Sequence, residues 1–367
     1  MPSPQVIDIS GLVEPVSADN LVGVDLRKDA SPTAAYALVR DARKAARAAE
    51  RSHLFSEGKS EADEHWRVVC EHAPNVLKRQ SKDLEIACWY VECLTRKSGF
   101  AGLRDGFALI RQLIEKYWDG IYPLPDEDGI ETRVAALTGL NGEGAEGVLI
   151  APIRTTAITQ AGELGSFAFW QYKQAVEAQR ITDEKARADQ IAKNGFTLDD
   201  VLKAVEQSST EFYVNLRDDV RDALEEYRKL GQLLTERCGS HKAPPTANII
   251  NILGEILGAI NHIAKHKLPQ PEDEAAYVPD GAGGGAVAIA GGAIKSRQEA
   301  FQQLNHISQF FRRTEPHSPI SYIIEKAVRW GNMSLAELMD ELIPDSGSRT
   351  TYGSLTGVNP GGSANER

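Results

Sequence analysis

Three observations predict an all-α fold for this chain. Apolar positions recur every three to four residues along almost its whole length, helix-capping signals stand where several of these stripes begin, and a single short stretch reads as a strand. With 367 residues, 42% of them hydrophobic, the chain is long enough for two or three domains and a sizeable core. The formal charge of −11 argues against nucleic acid or an acidic membrane surface as partner, because the average field repels phosphates. The opening MPSPQVIDISGLVEPV has no positive flank ahead of an apolar run and is not read as a secretory signal. No window approaches the ~18 uninterrupted apolar residues of a membrane span, so direct membrane insertion is not expected.

Taken in order, Thr33 to Arg51 is Ala-rich and charged, a good helix former. From His65 to Leu77, the residues Trp66, Val69, Cys70, Ala73, Val76 and Leu77 share one face. From Asp83 to Lys97, Leu84, Ala87, Cys88, Val91 and Leu94 do the same. A third stripe, Leu103, Phe107, Ile110, Ile114 and Tyr117, follows a break at Gly99 and Gly102, which predicts antiparallel helices joined by short turns. The pattern stops at KYWDGIYPLPDEDGIETR, a proline-broken loop. Beyond it a Gly-rich stretch contains Val148 to Ile150, the one place read as a strand.

Helices resume near Phe167. Thr197 with Asp200 forms a capping box ahead of Leu198, Val201, Leu202 and Val205. A long helix spans about Thr210 to Arg237, with Phe212, Leu216, Val220, Ala223, Tyr227, Leu230 and Leu234 on its buried side. Asn248 to Lys265 carries an Ile-rich stripe. Cys70, Cys88, Cys93 and Cys238 lack C-x-x-C spacing and are read as reduced residues of a cytoplasmic protein.

Composition then changes. Pro269 to Ile294 holds three prolines, six glycines and an acidic PEDE run, with little that could build a core. A flexible coil over 269–297 has an r.m.s. span of roughly 30 Å. Past it, Phe301, Leu304, Ile307, Phe310 and Phe311 cover half of one helix, and Glu315 and Ser318 each precede a proline. Ser318 can cap a second helix with Pro319 at its first position; Ile320, Ile323, Ile324, Ala327 and Val328 form its stripe, with Trp330 at the edge. Ser334 with Glu337 heads a third short helix carrying Leu335, Leu338, Met339 and Leu342. Three short helices in about 48 residues, with neither disulfide nor metal, rarely bury enough surface to stand alone. Burial between copies resolves this, so the segment is expected to be an oligomerisation domain. The tail from Ser346 has too little hydrophobicity to fold.

No catalytic, metal or cofactor site is expected. Gly142, Gly144 and Gly147 spell G-x-G-x-x-G, but no strand precedes them, and Glu143 and Glu146 stand where a pyrophosphate needs positive potential. Asp126, Asp128, Gly129 and Glu131 lack the spacing of a calcium loop. His262 and His266 lie one helical turn apart without a third ligand, and Cys238 and His241 could join them only through a tertiary approach.

Three stretches, GVDLR, then SKDLEIACWYVECLTRKSGFAGLRDGFALIRQLIEKYWDGIYPLPDEDGIETRVAAL, then FFRRTEPHSPISYIIEKAVRW, together resemble the TssA proteins of bacterial type VI secretion systems, whose first half is the ImpA N-terminal domain. By motif, Trp118, Asp119, Tyr122, Pro123 and Arg133 match the N-domain signature; Phe311, Arg312, Arg313, Glu315, Pro316, Ser318 and Pro319 match the C-terminal one. The resemblance implies a non-enzymatic assembly factor without cofactors, cytoplasmic and associated with the secretion apparatus at the inner membrane. It would form a ring through its C-terminal domain and work with baseplate, tail tube and sheath, with membrane-complex proteins as a further candidate partner. The expected organisation is an ImpA-like domain over 1–195, a middle helical domain over 196–268, a linker over 269–297, the ring-forming unit over 298–345 and a disordered tail over 346–367. The expected oligomer interface comprises Phe310, Phe311, Arg312, Arg313, Glu315 and Pro316 from the corner's first side. Ser318, Pro319, Ile320, Ile323, Ile324 and Trp330 complete it from the second. Two other classes stay open at this point: a monomeric helical adaptor, and an enzyme with an unrecognised site in the N-terminal half.

Overall fold

The structure, a computed structural model, describes residues 2–52, 59–127, 129–269, 297–314 and 319–333, together with 338, 341 and 345. The described residues form helices, turns and isolated β-bridges, with no strand or sheet among them, so the fold is all-α. The chain divides into two compact units, Met1–Val278 and Pro279–Arg367.

In the first unit the helices are α1 (Ile9–Val13), α2 (Ala35–Ser52), α3 (Lys59–Arg79), α4 (Leu84–Tyr117), α5 (Ile130–Asn141) and α6 (Ile150–Thr155). They continue with α7 (Phe169–Gln179), α8 (Glu184–Asn194), α9 (Leu198–Gln207), α10 (Thr210–Cys238) and α11 (Ala247–Ile263). At the centre stands α4, apolar on almost every side and therefore buried on almost every side. It is a hairpin. Gly99 leaves helical geometry at φ 55° and ψ −134°, and a Cβ on Gly102 would stand 2.2 Å from the carbonyl oxygen of Leu94. A Cβ on Gly106 would likewise meet the Val91 side chain at 2.7 Å, although a straight helix separates residues this far apart by about 22 Å. The chain therefore doubles back at Gly99, and Gly102 and Gly106 let the two arms touch.

Around this hairpin pack α10, α3, α1, α5 and α6; α2 lies on α3, and α11 on α10 and α6. Phe107 of α4 meets Tyr227 of α10 with ring centroids 4.6 Å apart. One core cluster runs from Ile9 to Leu268, so the stretches 1–195 and 196–268 contribute side chains to the same core. A smaller cluster of Phe167, Ala175, Val201 and Ala204 joins α7 and α9. The Thr197–Asp200 capping box forms: Thr197 Oγ1 accepts from the Asp200 N–H at 3.1 Å, and Asp200 Oδ2 accepts from the Thr197 N–H at 2.9 Å.

Two expectations are corrected. Val148 to Ile150 is not a strand: Val148 and Leu149 donate to the carbonyls of Gly139 and Leu140 at the end of α5, and Ile150 opens α6. Three apolar residues flanked by glycine have no period by which to tell a buried turn from a strand. Nor are all four cysteines reduced. Cys70 of α3 and Cys93 of α4 form a disulfide with Cα atoms 5.9 Å apart, well within bridging range, while Cys88 and Cys238 are free. Periodicity places Cys70 on a stripe but does not say which residue of the neighbouring helix faces it.

The second unit contains α12 (Arg297–Thr314) and α13 (Ile320–Asn332). They run antiparallel: a Cβ on Gly331 would strike the Phe301 ring at 2.3 Å, and Ser308 lies beside Ser321. Pro319 occupies the position before α13, without a side-chain cap of its own. The expected third helix and the tail from Ser346 lie outside the described residues, apart from 338, 341 and 345.

Candidate functional site

Two places hold the residues that the sequence singles out. The first is a junction at one end of the α4 hairpin, where three segments of the first unit meet. The backbone of Gly23 bridges Ser81, and Asp83 bridges Tyr122, so residues 22–24, 80–83 and 122 lie side by side. Lys82 donates its N–H to Val22 at 2.7 Å, Tyr122 donates to Lys82 at 2.9 Å, and Leu84 donates to Tyr122 at 2.8 Å. Asp83, fully buried, caps α4 by accepting from the N–H groups of Glu85 and Ile86, where the helix dipole favours negative charge. Its second task is electrostatic. Arg27 Nη1 donates to Asp83 Oδ2 at 2.6 Å and Nη2 to Glu85 Oε2 at 2.6 Å, while the Tyr36 hydroxyl donates to the same Glu85 oxygen at 2.8 Å. Burial first, then Glu85, raises the Tyr36 pKa far above its ordinary value.

Lys82 is the less expected member. Its side chain is fully buried, and Nζ donates to the carbonyls of Leu12 at 2.8 Å and Leu77 at 2.7 Å. These carbonyls belong to the last turns of α1 and α3, the negative ends of two helix dipoles, so one ammonium caps both. Burial, with Lys116 and Lys78 nearby, pulls its pKa down to about 8.

The N-domain signature gathers beside this point. Arg133, buried on α5, donates Nη1 to the Trp118 carbonyl at 2.6 Å and Nε to the Pro123 carbonyl at 3.1 Å, and lies 5.1 Å over the Trp118 ring. It clamps the loop between α4 and α5 at both ends, with a cis Tyr122–Pro123 peptide in between. Burial lowers the Arg133 pKa, and exposed Asp119 offsets this in part. Trp118 is buried and Tyr122 half-buried, which makes these two residues packing elements. The sequence reading quoted Arg27, Lys82 and Asp83 inside motifs without giving them roles. Asp83 had a readable signal, an Asp immediately before an apolar helical run; Lys82 had none.

The second place is the α12–α13 hairpin. Within it, the Ser308 hydroxyl stands 3.0 Å from the Ser321 carbonyl and 3.1 Å from Glu325, and Arg312 pairs with Glu325 at 3.1 Å and lies over the Tyr322 ring. Arg312 thus has a partner on its own chain. Outside it, large apolar side chains face solvent: Ile323 is 63% exposed, Tyr322 58%, Ile307 44% and Ile320 40%. Pro319 is exposed too, while Phe311, Ile324 and Trp330 are half-buried. Glu315, Pro316 and Ser318 lie outside the described residues, as do the side chains of Phe310 and Arg313.

Neither place groups three His, Cys, Asp or Glu side chains so as to hold a metal, and none of the described residues does elsewhere. Glu131 pairs with Lys242 at 3.0 Å, and His266 with Glu206 at 3.0 Å. No described helix is long and apolar enough to cross a membrane.

A family model for the ImpA N-terminal domain of type VI secretion systems matches residues 13–142, which contain all the bridged segments of the junction and Arg133. The whole chain is 26% identical over 352 residues to the type VI secretion system component TssA1 of Pseudomonas aeruginosa, covering 93% of this chain and 96% of that protein. Residues 13–142 thus match the ImpA N-terminal domain, and over nearly its whole length the chain is similar to a TssA protein. A solved structure of the N-terminal domain of the TssA component from Burkholderia cenocepacia, which includes its ImpA_N region, shares the fold. Its TM-score is 0.58 at 24% identity, covering 73% of this chain and 98% of that one. The matched ImpA_N residues contain the junction and leave the α12–α13 hairpin outside them.

Proposed function

We propose that this chain is a structural, non-enzymatic assembly factor of the type VI secretion apparatus, forming a ring through residues 298–345. Its N-terminal unit then serves as a set of tethered arms that organise baseplate, tail tube and sheath from the cytoplasmic side of the inner membrane. The observation that carries the reading is the row of exposed aliphatics on α12 and α13, Ile307, Ile320 and Ile323, with Tyr322 beside them. A two-helix hairpin of 18 and 13 residues buries too little on its own, and an apolar face this open finds its burial against further copies. Ring assembly has a mechanical consequence. Several arms on one ring raise one another's effective concentration, so a weak grip by each arm adds up on a repetitive structure.

The test is the mass of the full chain by light scattering after size exclusion, with Ile323→Asp as the variant. Several chains per particle are expected for the wild type and one for the variant, with unchanged helical content. A wild type that runs as a single chain at all concentrations favours a monomeric adaptor and sinks the ring.

A further inference from the structure

We infer that the pocket between α2, the first arm of α4 and the loop entering α6 binds a short acidic peptide segment of a partner protein, its carboxylates held by Arg47 and Arg51. The pocket encloses about 480 Å³, inside the roughly 300–1,000 Å³ range of ligand sites.

Its basic wall is built by helical spacing: Arg43, Arg47 and Arg51 recur every fourth residue on α2, so all three face the same side. Two guanidiniums of the cluster are held rigidly. Arg96 binds both oxygens of Glu50, at 2.5 and 2.9 Å, and stacks 4.1 Å over the Trp66 ring, whose Nε1 donates to Glu50 at 2.7 Å. Arg43 pairs with fully buried Glu92 at 2.6 Å and lies over Trp89. Arg47 and Arg51, by contrast, make no hydrogen bond or ion pair with any other described residue. Half-buried Arg47 shows the strain of that position: burial lowers its pKa, and Arg43, Arg51 and Arg96 push the same way against the pull of Glu92.

Counting the Arg154–Glu146 pair at the rim, five guanidiniums meet three carboxylates, in a chain whose overall charge is −11. Two cations are left for a ligand, and a bidentate carboxylate is the partner that guanidinium geometry fits. The opposite wall decides between kinds of anion. The side chains of Val148, Ala151 and Pro152 are apolar and offer no donor to the remaining oxygens of a phosphate. An acidic side chain flanked by aliphatic ones matches both walls.

The inference is independent of ring formation and is tested on the full-length chain by fluorescence anisotropy with a fluorescein-labelled Leu-Glu-Leu-Glu-Leu-Glu peptide and its Leu-Gln counterpart. Expected is saturable binding of the Glu peptide, at least tenfold tighter than the Gln peptide and weakened by 0.5 M salt. The double variant Arg47→Gln, Arg51→Gln should lose at least tenfold in affinity while keeping a cooperative melting transition, because neither side chain makes a hydrogen bond or ion pair with another described residue. Arg40→Glu, on α2 but outside the pocket, should bind as the wild type does. Equal affinity for the two peptides, no binding of the Glu peptide below 1 mM, or equal losses in Arg40→Glu and the double variant would each overturn the site. Displacement by millimolar inorganic phosphate would overturn the peptide assignment.

Discussion

The motif junction of the first unit and the hairpin of the second solve opposite problems. At the junction, charged groups go inside and are answered there: Asp83 by Arg27 and two backbone amides, Lys82 by two carbonyls, Arg133 by two carbonyls and a ring. On the hairpin the reverse occurs, and aliphatic side chains stay outside unanswered while the polar residues Ser308 and Ser321 are buried. The lesson is about self-sufficiency. A unit that pairs its buried charges around one large core can stand by itself. One that leaves apolar surface in water needs something to cover it.

Four measurements would break or sharpen this contrast, alongside the Ile323→Asp test. The largest effect is expected for Phe107→Ala, which empties the contact between α4 and α10 and should cost about 3–5 kcal/mol in urea unfolding. Because residues on both sides of 195 share that core, tryptophan fluorescence and far-ultraviolet dichroism should report one coincident loss across the first unit; two separate transitions would restore an independent middle domain. Next, Arg27→Met leaves Asp83 buried without its main partner and should cost about 2–4 kcal/mol, toward the low end because Arg27 is itself partly exposed. Loss of less than half a kcal/mol would mean that the junction is not held electrostatically.

Gly102→Ala pushes a methyl group into the Leu94 carbonyl, so a cost of about 1–3 kcal/mol is expected, whereas the same change at an open helical position such as Gly254 should be stabilising by a few tenths to about 1 kcal/mol. Similar effects at both positions would contradict the hairpin. The last effect is pH-dependent, and at neutral pH it vanishes. With its folded pKa near 8 and its unfolded value near 10.5, Lys82 binds a proton in the unfolded chain but not the folded one between those limits. Its contribution to stability therefore rises with pH from about 8 to about 10.5, by on the order of 1 kcal/mol per unit, and is flat below 8. Lys82→Met should remove that rise; an identical slope in the variant would place the titration elsewhere.

Much of this was legible in the residues. The α4 stripes, the break at Gly99, the capping box at Thr197 and the long α10 follow from local rules that need no knowledge of neighbours. Of the site, the sequence pointed to the Trp118 to Arg133 signature and to the aliphatic stripe of α13, because a motif and a period can be seen along one strand of text. It was silent on Lys82, since a lysine at a strand-like turn reads as solvated until two helix ends are known to close over it. It also misread Cys70 and Cys93, whose pairing depends on how α3 is rotated against α4.

By itself, then, the sequence determined that the chain is helical, about where its longer helices lie, and which face of several of them is apolar. Only the tertiary structure decided that the hairpin folds at Gly99 with Gly102 in contact, and that residues up to Leu268 share one core. It alone brought Arg47, Arg51 and Arg96 around one pocket. Periodicity reports the direction a side chain faces, a property of its own helix. What it meets there depends on the position and rotation of another helix, and that is set by packing the whole core at once.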